Sequence, residues 1–230
     1  MSKDININVH HIARLEGHGN ILVDVTNGEL REVKLEIVES PRFFEAMLVG
    51  RRYPEANHIA SRICGICAVA HSLASLRAIE DALGIEPSRQ TVELRKIMME
   101  AEQFQSNVLH YYFLVAPDLV GAPSVIPLAA SHPEVVKRAI RMKKLGNDVC
   151  DTIGGRHTHP ISMAVDGFTN LASEEALADL LKQIKECLKT DAAATVDLFA
   201  GLKMPQLERK TDYVSLSHPD EYPFYEGMIR

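Results

Sequence analysis

RICGICAVAH, residues 62–71, sets an arginine, two cysteines and a histidine in ten positions. Two thiols with two residues between them can meet at one metal ion or one disulfide, because the turn between them brings both sulfurs within reach. The flanking sequence narrows the choice. Pro54 opens a helical pattern in PEANHIASRI, and past the pair Val69, Leu73, Leu76, Ile79 and Leu83 recur at helical spacing until Gly84, so the cysteines sit in a turn between helices. A thioredoxin-type redox pair would follow a strand. A structural zinc site needs four protein ligands, and the chain holds no second CxxC. Cys67 falls at a helix start, where the dipole favours thiolate, and Arg62 adds positive charge nearby. The pair is primed to ligate; the alternative is two small buried apolar side chains. Cys150 and Cys187 stand apart on predicted helices and read as core residues.

Outward from the pair, sheet precedes helix. Residues 19–39 alternate apolar and polar on both sides of Asn27-Gly28, a two-residue turn signal, and predict a β-hairpin. Phe43, Phe44, Met47 and Leu48 fit a short helix. After Pro87-Ser88, a helical period runs from Leu94 to Tyr112 and is expected to stop at Pro117. APSVIPLAASHPE reads as loop, PEVVKRAIRMKKLGNDVCDTI as helix and GGRHTHPISMAVDG as a glycine-rich loop. Residues 173–200 read as an amphipathic helix capped by Ser173. The expected class is α+β and mainly helical: an amino-terminal antiparallel β-hairpin packed on a bundle of long helices. The chain is expected as a single domain over 1–230, β-rich to 40, helical over 41–200, with an irregular tail over 201–230.

Composition limits the functions. An apolar fraction of 46% over 230 residues can supply a real core, and Lys+Arg 25 against Asp+Glu 31 gives a net charge of −6. That balance argues against a nucleic-acid surface and offers no polybasic membrane patch. The absence of an 18-residue apolar run predicts no membrane span, and the amino-terminal residues carry no export signal, so the expected compartment is cytoplasmic. In ARLEGHG, residues 13–19, Arg14, Glu16 and His18 would share one face if the stretch were extended; the plain alternative is a surface ion pair of Arg14 and Glu16.

From RLEGHG through RICGICAVAH to GGRHTHP, over essentially all 230 residues, the chain closely resembles the amino-terminal part of the large, catalytic subunit of nickel-iron hydrogenases, especially the cytosolic multimeric subclass. RxCGxCxxxH with an upstream RxEGH is specific as a combination. The resemblance implies that Cys64 is a terminal thiolate ligand of nickel and that Cys67 bridges nickel and an iron carrying cyanide and carbon monoxide, both made by maturation proteins. It places His71 to hydrogen-bond the bridging sulfur, with Arg62 beside the cofactor. It gives Glu16 the shuttling of protons to and from a thiolate, and Glu45 the ligation of a magnesium or iron ion at a second site. The plain alternative for Glu45 is a solvated helix residue. The implied reaction is heterolytic splitting of dihydrogen, the proton leaving through Glu16 and the electrons through the clusters of an iron-sulfur small subunit, then through further electron-transfer subunits. Arg156, His157 and His159 would lie near the active site with no chemical step assigned.

One departure stands out. The family completes the metal site with a second CxxC and an arginine from its carboxy-terminal half, which these 230 residues lack, so the chain is expected to be a portion of a longer subunit, in preference to one whose remaining ligands arrive on another polypeptide or a degenerate relative. The competing class is a non-catalytic hydrogenase-like scaffold or interaction subunit of an electron-transfer complex, against which the retention of Cys64 and Cys67 counts. A mononuclear CxxC metal carrier is a third.

Overall fold

The computed structural model describes residues 4–10, 12 and 15–230. Its contacts divide the chain into two compact units, Met1–Val49 and Gly50–Arg230.

In the first unit, β2 (Gly19–Thr26) and β3 (Glu29–Ile37) form the expected hairpin. Asn27 and Gly28 both take positive φ (55° and 79°), as a two-residue turn matching the strand twist requires. The register pairs Ile21 with Leu35 and Val23 with Val33, so the aliphatic residues share one face. A third strand, β1 (Ile5–Val9), pairs antiparallel with β2, Ile7 opposite Val23. Sequence does not announce it, because five alternating residues give little period to detect. The Asp4 carboxylate accepts the Asn27 N–H at 2.8 Å and ties β1 to the turn. Helix α1 (Pro41–Leu48) follows, its proline in the first turn.

The second unit is mainly helical. Helix α2 (Tyr53–Ala60) runs into a 3-10 turn (Ser61–Ile63), then the cysteine turn and α3 (Ala68–Leu83), which Gly84 ends at φ 66°. Helix α4 (Arg89–Leu109) is capped by Ser88 and passes through a π-helical turn (His110–Val115) into α5 (Ala116–Leu119). The expected stop at Pro117 does not occur. The chain continues to Leu119, because the Ala116 N–H bonds the Tyr111 carbonyl five residues back and re-spaces the ladder just ahead of the proline. APSVIPLAAS, expected as loop, forms α6 (Val125–Ser131). The Ser124 hydroxyl accepts the Ile126 N–H at 3.3 Å, and Pro127 falls in the first turn, where no intrahelical acceptor exists for the N–H it lacks.

Helix α7 (Pro133–Gly154) leads into the glycine-rich loop, which holds a two-residue bridge of β4 (Met163–Ala164) with β5 (Gly167–Phe168). Helix α8 (Glu174–Cys187) is capped by Ser173, and a π-helical turn (Leu188–Ala192) separates it from α9 (Ala193–Ala200), where sequence predicts one helix. The tail is irregular apart from β6 (Leu216–Ser217) paired with β7 (Met228–Ile229).

The main core joins Val69, Leu73 and Leu76 of α3, Met98 and Ala101 of α4, Leu145, Val149, Cys150 and Ile153 of α7, Met163 and Leu180. Helices α4 and α7 approach closely through glycines on α7. A Cβ at 146 would lie 2.7 Å from Gln105 Cβ, and one at 154 would lie 2.6 Å from Met98 Cε. A buried ion pair crosses this core. Arg95, fully buried, donates to both Glu80 oxygens at 2.8 and 2.6 Å, to the Ala164 carbonyl at 2.9 Å and to the Tyr225 hydroxyl at 3.4 Å. Glu80 also accepts the Asp166 N–H at 2.7 Å. One charge pair thus joins α3, α4, the β4–β5 turn and the tail, and Lys96 adds a second tether at 2.8 Å from Glu221. Among the described residues, no helix is long and apolar enough to cross a membrane.

Candidate metal centre

The cysteine turn is built where two helices meet out of line. Cys64 ends the 3-10 turn in extended backbone (φ −142°, ψ 140°), and Cys67 is the N-cap of α3. The Ile66 and Cys67 N–H groups point back at Cys64 Sγ, at 3.4 and 3.2 Å. Cys64 is buried and Cys67 half-buried. None of the four cysteines forms a disulfide.

Cys67 opens α3 with its main chain only: its carbonyl accepts the His71 N–H at 3.2 Å, and its side chain makes no capping bond. The free amides of the first turn go elsewhere. Glu102 of α4, 2% exposed, accepts Val69 N–H at 2.6 Å and Ala70 N–H at 3.0 Å, one on each oxygen. Burial pushes its carboxyl up to about 7, against the pull of those two N–H groups. One helical turn along α4, Gln105 Nε2 donates to the Ile66 carbonyl inside the turn at 3.4 Å.

The other side of the turn is held by the glycine-rich loop. His159 Nδ1 lies 2.7 Å from the Ser61 carbonyl. A carbonyl can only accept, so Nδ1 is the donor in this contact. His159 has φ +56°, uncommon outside glycine and costly unless its surroundings fix it. Asn57, buried on α2, donates to the Met163 carbonyl at 2.9 Å, a second tie between the segment ahead of Cys64 and this loop. Beyond it, the Asp151 carboxylate accepts the His157 N–H at 2.6 Å and faces its Nδ1 at 2.9 Å, closing the loop on α7.

Arg62, Cys64, Cys67 and His71 follow one another along a single segment, with His71 half-buried one turn into α3 and Arg62 exposed on the 3-10 turn. Glu16 and Glu45 belong to the first unit. Glu16 lies on a bend whose Gly17 takes φ +92°, so residues 15–17 are not extended and alternation does not set which side chains share a face. Arg14 lies outside the described residues. Glu45 is exposed on α1. Cys150 and Cys187 are the core residues expected, and burial pushes the Cys150 thiol up to about 12, an inert form.

The donor set suits a soft transition metal. Two sulfurs, one of them buried and solvated by backbone N–H groups, favour thiolate-loving metals such as nickel and low-spin iron over magnesium or calcium. They supply two ligands. Among the described residues, the group of three His, Cys, Asp or Glu side chains able to close on one ion is His218, Glu221 and Glu226 in the tail, a set that does not include the cysteine turn.

Sequence reasoning missed Glu102, Gln105, Asn57 and the tether of His159. Glu102 and Gln105 share the buried face of α4 with Met98, Ala101 and Val108. The available signal was that polar residues fall on the same helical stripe as the apolar ones; charge alone suggested a solvated face.

Residues 42–140 match the family described as nickel-dependent hydrogenase. The chain is 39% identical to the alpha subunit of sulfhydrogenase 2 of Pyrococcus furiosus over 195 residues, 85% of this chain and 47% of that protein. It is 33% identical to a chain of the vhu F420-non-reducing hydrogenase of Methanocaldococcus jannaschii, covering 96% of this chain and 56% of that protein. The fold is similar to that in the crystal structure of an NAD+-reducing NiFe-hydrogenase in the H2-reduced state, with TM-score 0.78 and 30% identity over 85% of this chain and 45% of that one. The chain spans about half the length of the curated relatives it matches.

Proposed function

The chain belongs to the nickel-dependent hydrogenase family, matching the amino-terminal part of the large subunit, and on that premise we propose that it contributes two of the thiolate ligands of a nickel-iron centre that splits dihydrogen heterolytically and reversibly. The observation that carries this reading is the cysteine turn: Cys64 Sγ accepts two backbone N–H groups while Cys67 opens α3 without spending its sulfur on the cap. When bound, the metal centre, its iron carrying cyanide and carbon monoxide, supplies the polarisation that separates a proton from dihydrogen. The chain's own residues bind and order the site. Cys64 and Cys67 would hold that centre through their sulfurs, two ligands contributed by this chain.

His71, one turn past Cys67, donates toward a sulfur and tunes its basicity, and Arg62 flanks the cofactor. Glu16 takes a proton from a cysteine sulfur and passes it outward. Glu45 offers a hard oxygen ligand to a magnesium or iron ion at a second site. Electrons leave through an iron-sulfur small subunit, then through further electron-transfer subunits; the metal is installed by maturation proteins, and the assembly is cytoplasmic.

The test uses the assembled complex. Elemental analysis is expected to find nickel and iron together, and dihydrogen-dependent dye reduction is expected to vanish in Cys64→Ser and Cys67→Ser. Glu16→Gln should turn over at least about 100-fold more slowly with its metals retained, the scale of a lost proton-transfer group. A complex holding zinc alone, or no metal, would refute the proposal in favour of a carrier or a scaffold.

A further inference from the structure

We propose that Glu102 is a positioning residue of the metal centre: by satisfying the first free amides of α3 from another helix, it keeps the Cys67 sulfur out of capping and holds the Cys64–Cys67 turn in its ligating arrangement. The inference rests on the reading of Cys64 and Cys67 as metal ligands.

A helix leaves its first N–H groups without intrahelical partners, and the N-cap side chain normally accepts one of them. At α3 the N-cap is Cys67, whose side chain makes no such bond. The Glu102 carboxylate fills the gap with both oxygens, to Val69 N–H at 2.6 Å and Ala70 N–H at 3.0 Å. Glu102 is buried, and α4 is locked in place on either side of it. Met98 packs under Gly154, and Gln105, one turn later, reaches the Ile66 carbonyl. The bond to Val69 fixes the residue two places after Cys67 and the bond from Gln105 the residue just before it, so a single face of α4 brackets Cys67. A serine or aspartate at the N-cap would cap α3 equally well and leave no soft ligand; a cysteine there needs a cap from elsewhere, and Glu102 provides it.

The test compares the assembled complex with its Glu102→Ala and Glu102→Gln variants by two readouts: amide hydrogen exchange at residues 68–72, and the rate at which nickel is lost to excess EDTA. Loss of an outer-shell partner lowers metal retention about 10- to 100-fold. Glu102→Ala is expected to lose nickel in that range and to exchange its Val69 and Ala70 amides at least about tenfold faster, with α8 protection unchanged. Glu102→Gln keeps one acceptor and should fall between wild type and Glu102→Ala in both. That partial rescue is what a nonspecific loss of stability would not give, and if Glu102→Ala does not accumulate, Glu102→Gln decides alone. Variants that hold nickel as tightly as wild type would overturn the role of Glu102 while leaving the metal-site reading intact. A wild-type complex without nickel would overturn both.

Discussion

Replacing Glu80 by glutamine removes the carboxylate that pairs with the fully buried Arg95 guanidinium, keeping shape and one acceptor. The Ala164 carbonyl at 2.9 Å and the Tyr225 hydroxyl at 3.4 Å remain, neither charged. Breaking a buried pair by neutralising one member costs about 3–5 kcal/mol, because the other charge stays desolvated. A domain is stable by only about 5–15 kcal/mol, so Glu80→Gln and Arg95→Met should each sit close to unfolding, with Tm lower by about 6–20 °C at this chain length. The double variant Glu80→Gln/Arg95→Met leaves the pair without charge, and the new side-chain amide at position 80 can still accept the Asp166 N–H. It should cost about 1–3 kcal/mol, mainly for the orphaned Ala164 carbonyl, and so less than either single change. Urea denaturation of the four proteins at constant m measures the cycle. Single variants costing under about 1 kcal/mol, or a double variant as costly as their sum, would refute the reasoning that desolvation of the surviving charge dominates.

Glu102 gives a pH dependence of unusual sign. Its carboxyl is raised in the folded chain from 4.5 to about 7, so the folded state binds the proton more tightly and stability falls as pH rises from about 4.5 through about 7. The contribution is about 3 kcal/mol, and it should be missing from Glu102→Gln: the stability difference between the two proteins, by urea unfolding at pH 5 and pH 7.5, shifts toward wild type at the lower pH. Gly154→Ala would push a methyl to 2.6 Å from Met98 Cε and 3.1 Å from Pro160 Cβ, and should destabilise by about 1–3 kcal/mol in the same assay. Ser173→Ala removes the acceptor for Ala176 N–H and should lower stability by about 1 kcal/mol, with faster amide exchange confined to the first turn of α8.

The elements that could be read from sequence were those with a local cause. Asn27-Gly28 forces its turn whatever surrounds it, Gly84 ends α3 through a left-handed residue, and Ser88 and Ser173 cap where a hydroxyl precedes an apolar period. The cysteine turn was legible for the same reason, since spacing and the following helix place Cys64, Cys67 and His71 together. What escaped depends on partners far along the chain. Glu102 meets Val69 from 33 residues away, His159 meets Ser61 from 98, and Arg95 meets Tyr225 from 130. Their place on the apolar stripe of α4 hints that Glu102 and Gln105 are buried, but no local pattern names the partners they bond. The π-helical turns escaped too, because an added residue in a helix leaves the apolar period nearly intact.

The bare α-carbon of Gly146 bears on the chemistry at a distance. A methyl there would strike Gln105 at Cβ, and the far end of that same side chain holds the Ile66 carbonyl between the two sulfurs. The spacing of two helices in the interior is thereby transmitted, as through a short rigid lever, to the turn that carries Cys64 and Cys67. An alanine at 146 would strain the α4–α7 packing and disturb the cysteine turn together, and a survey restricted to residues lining the centre would never look there.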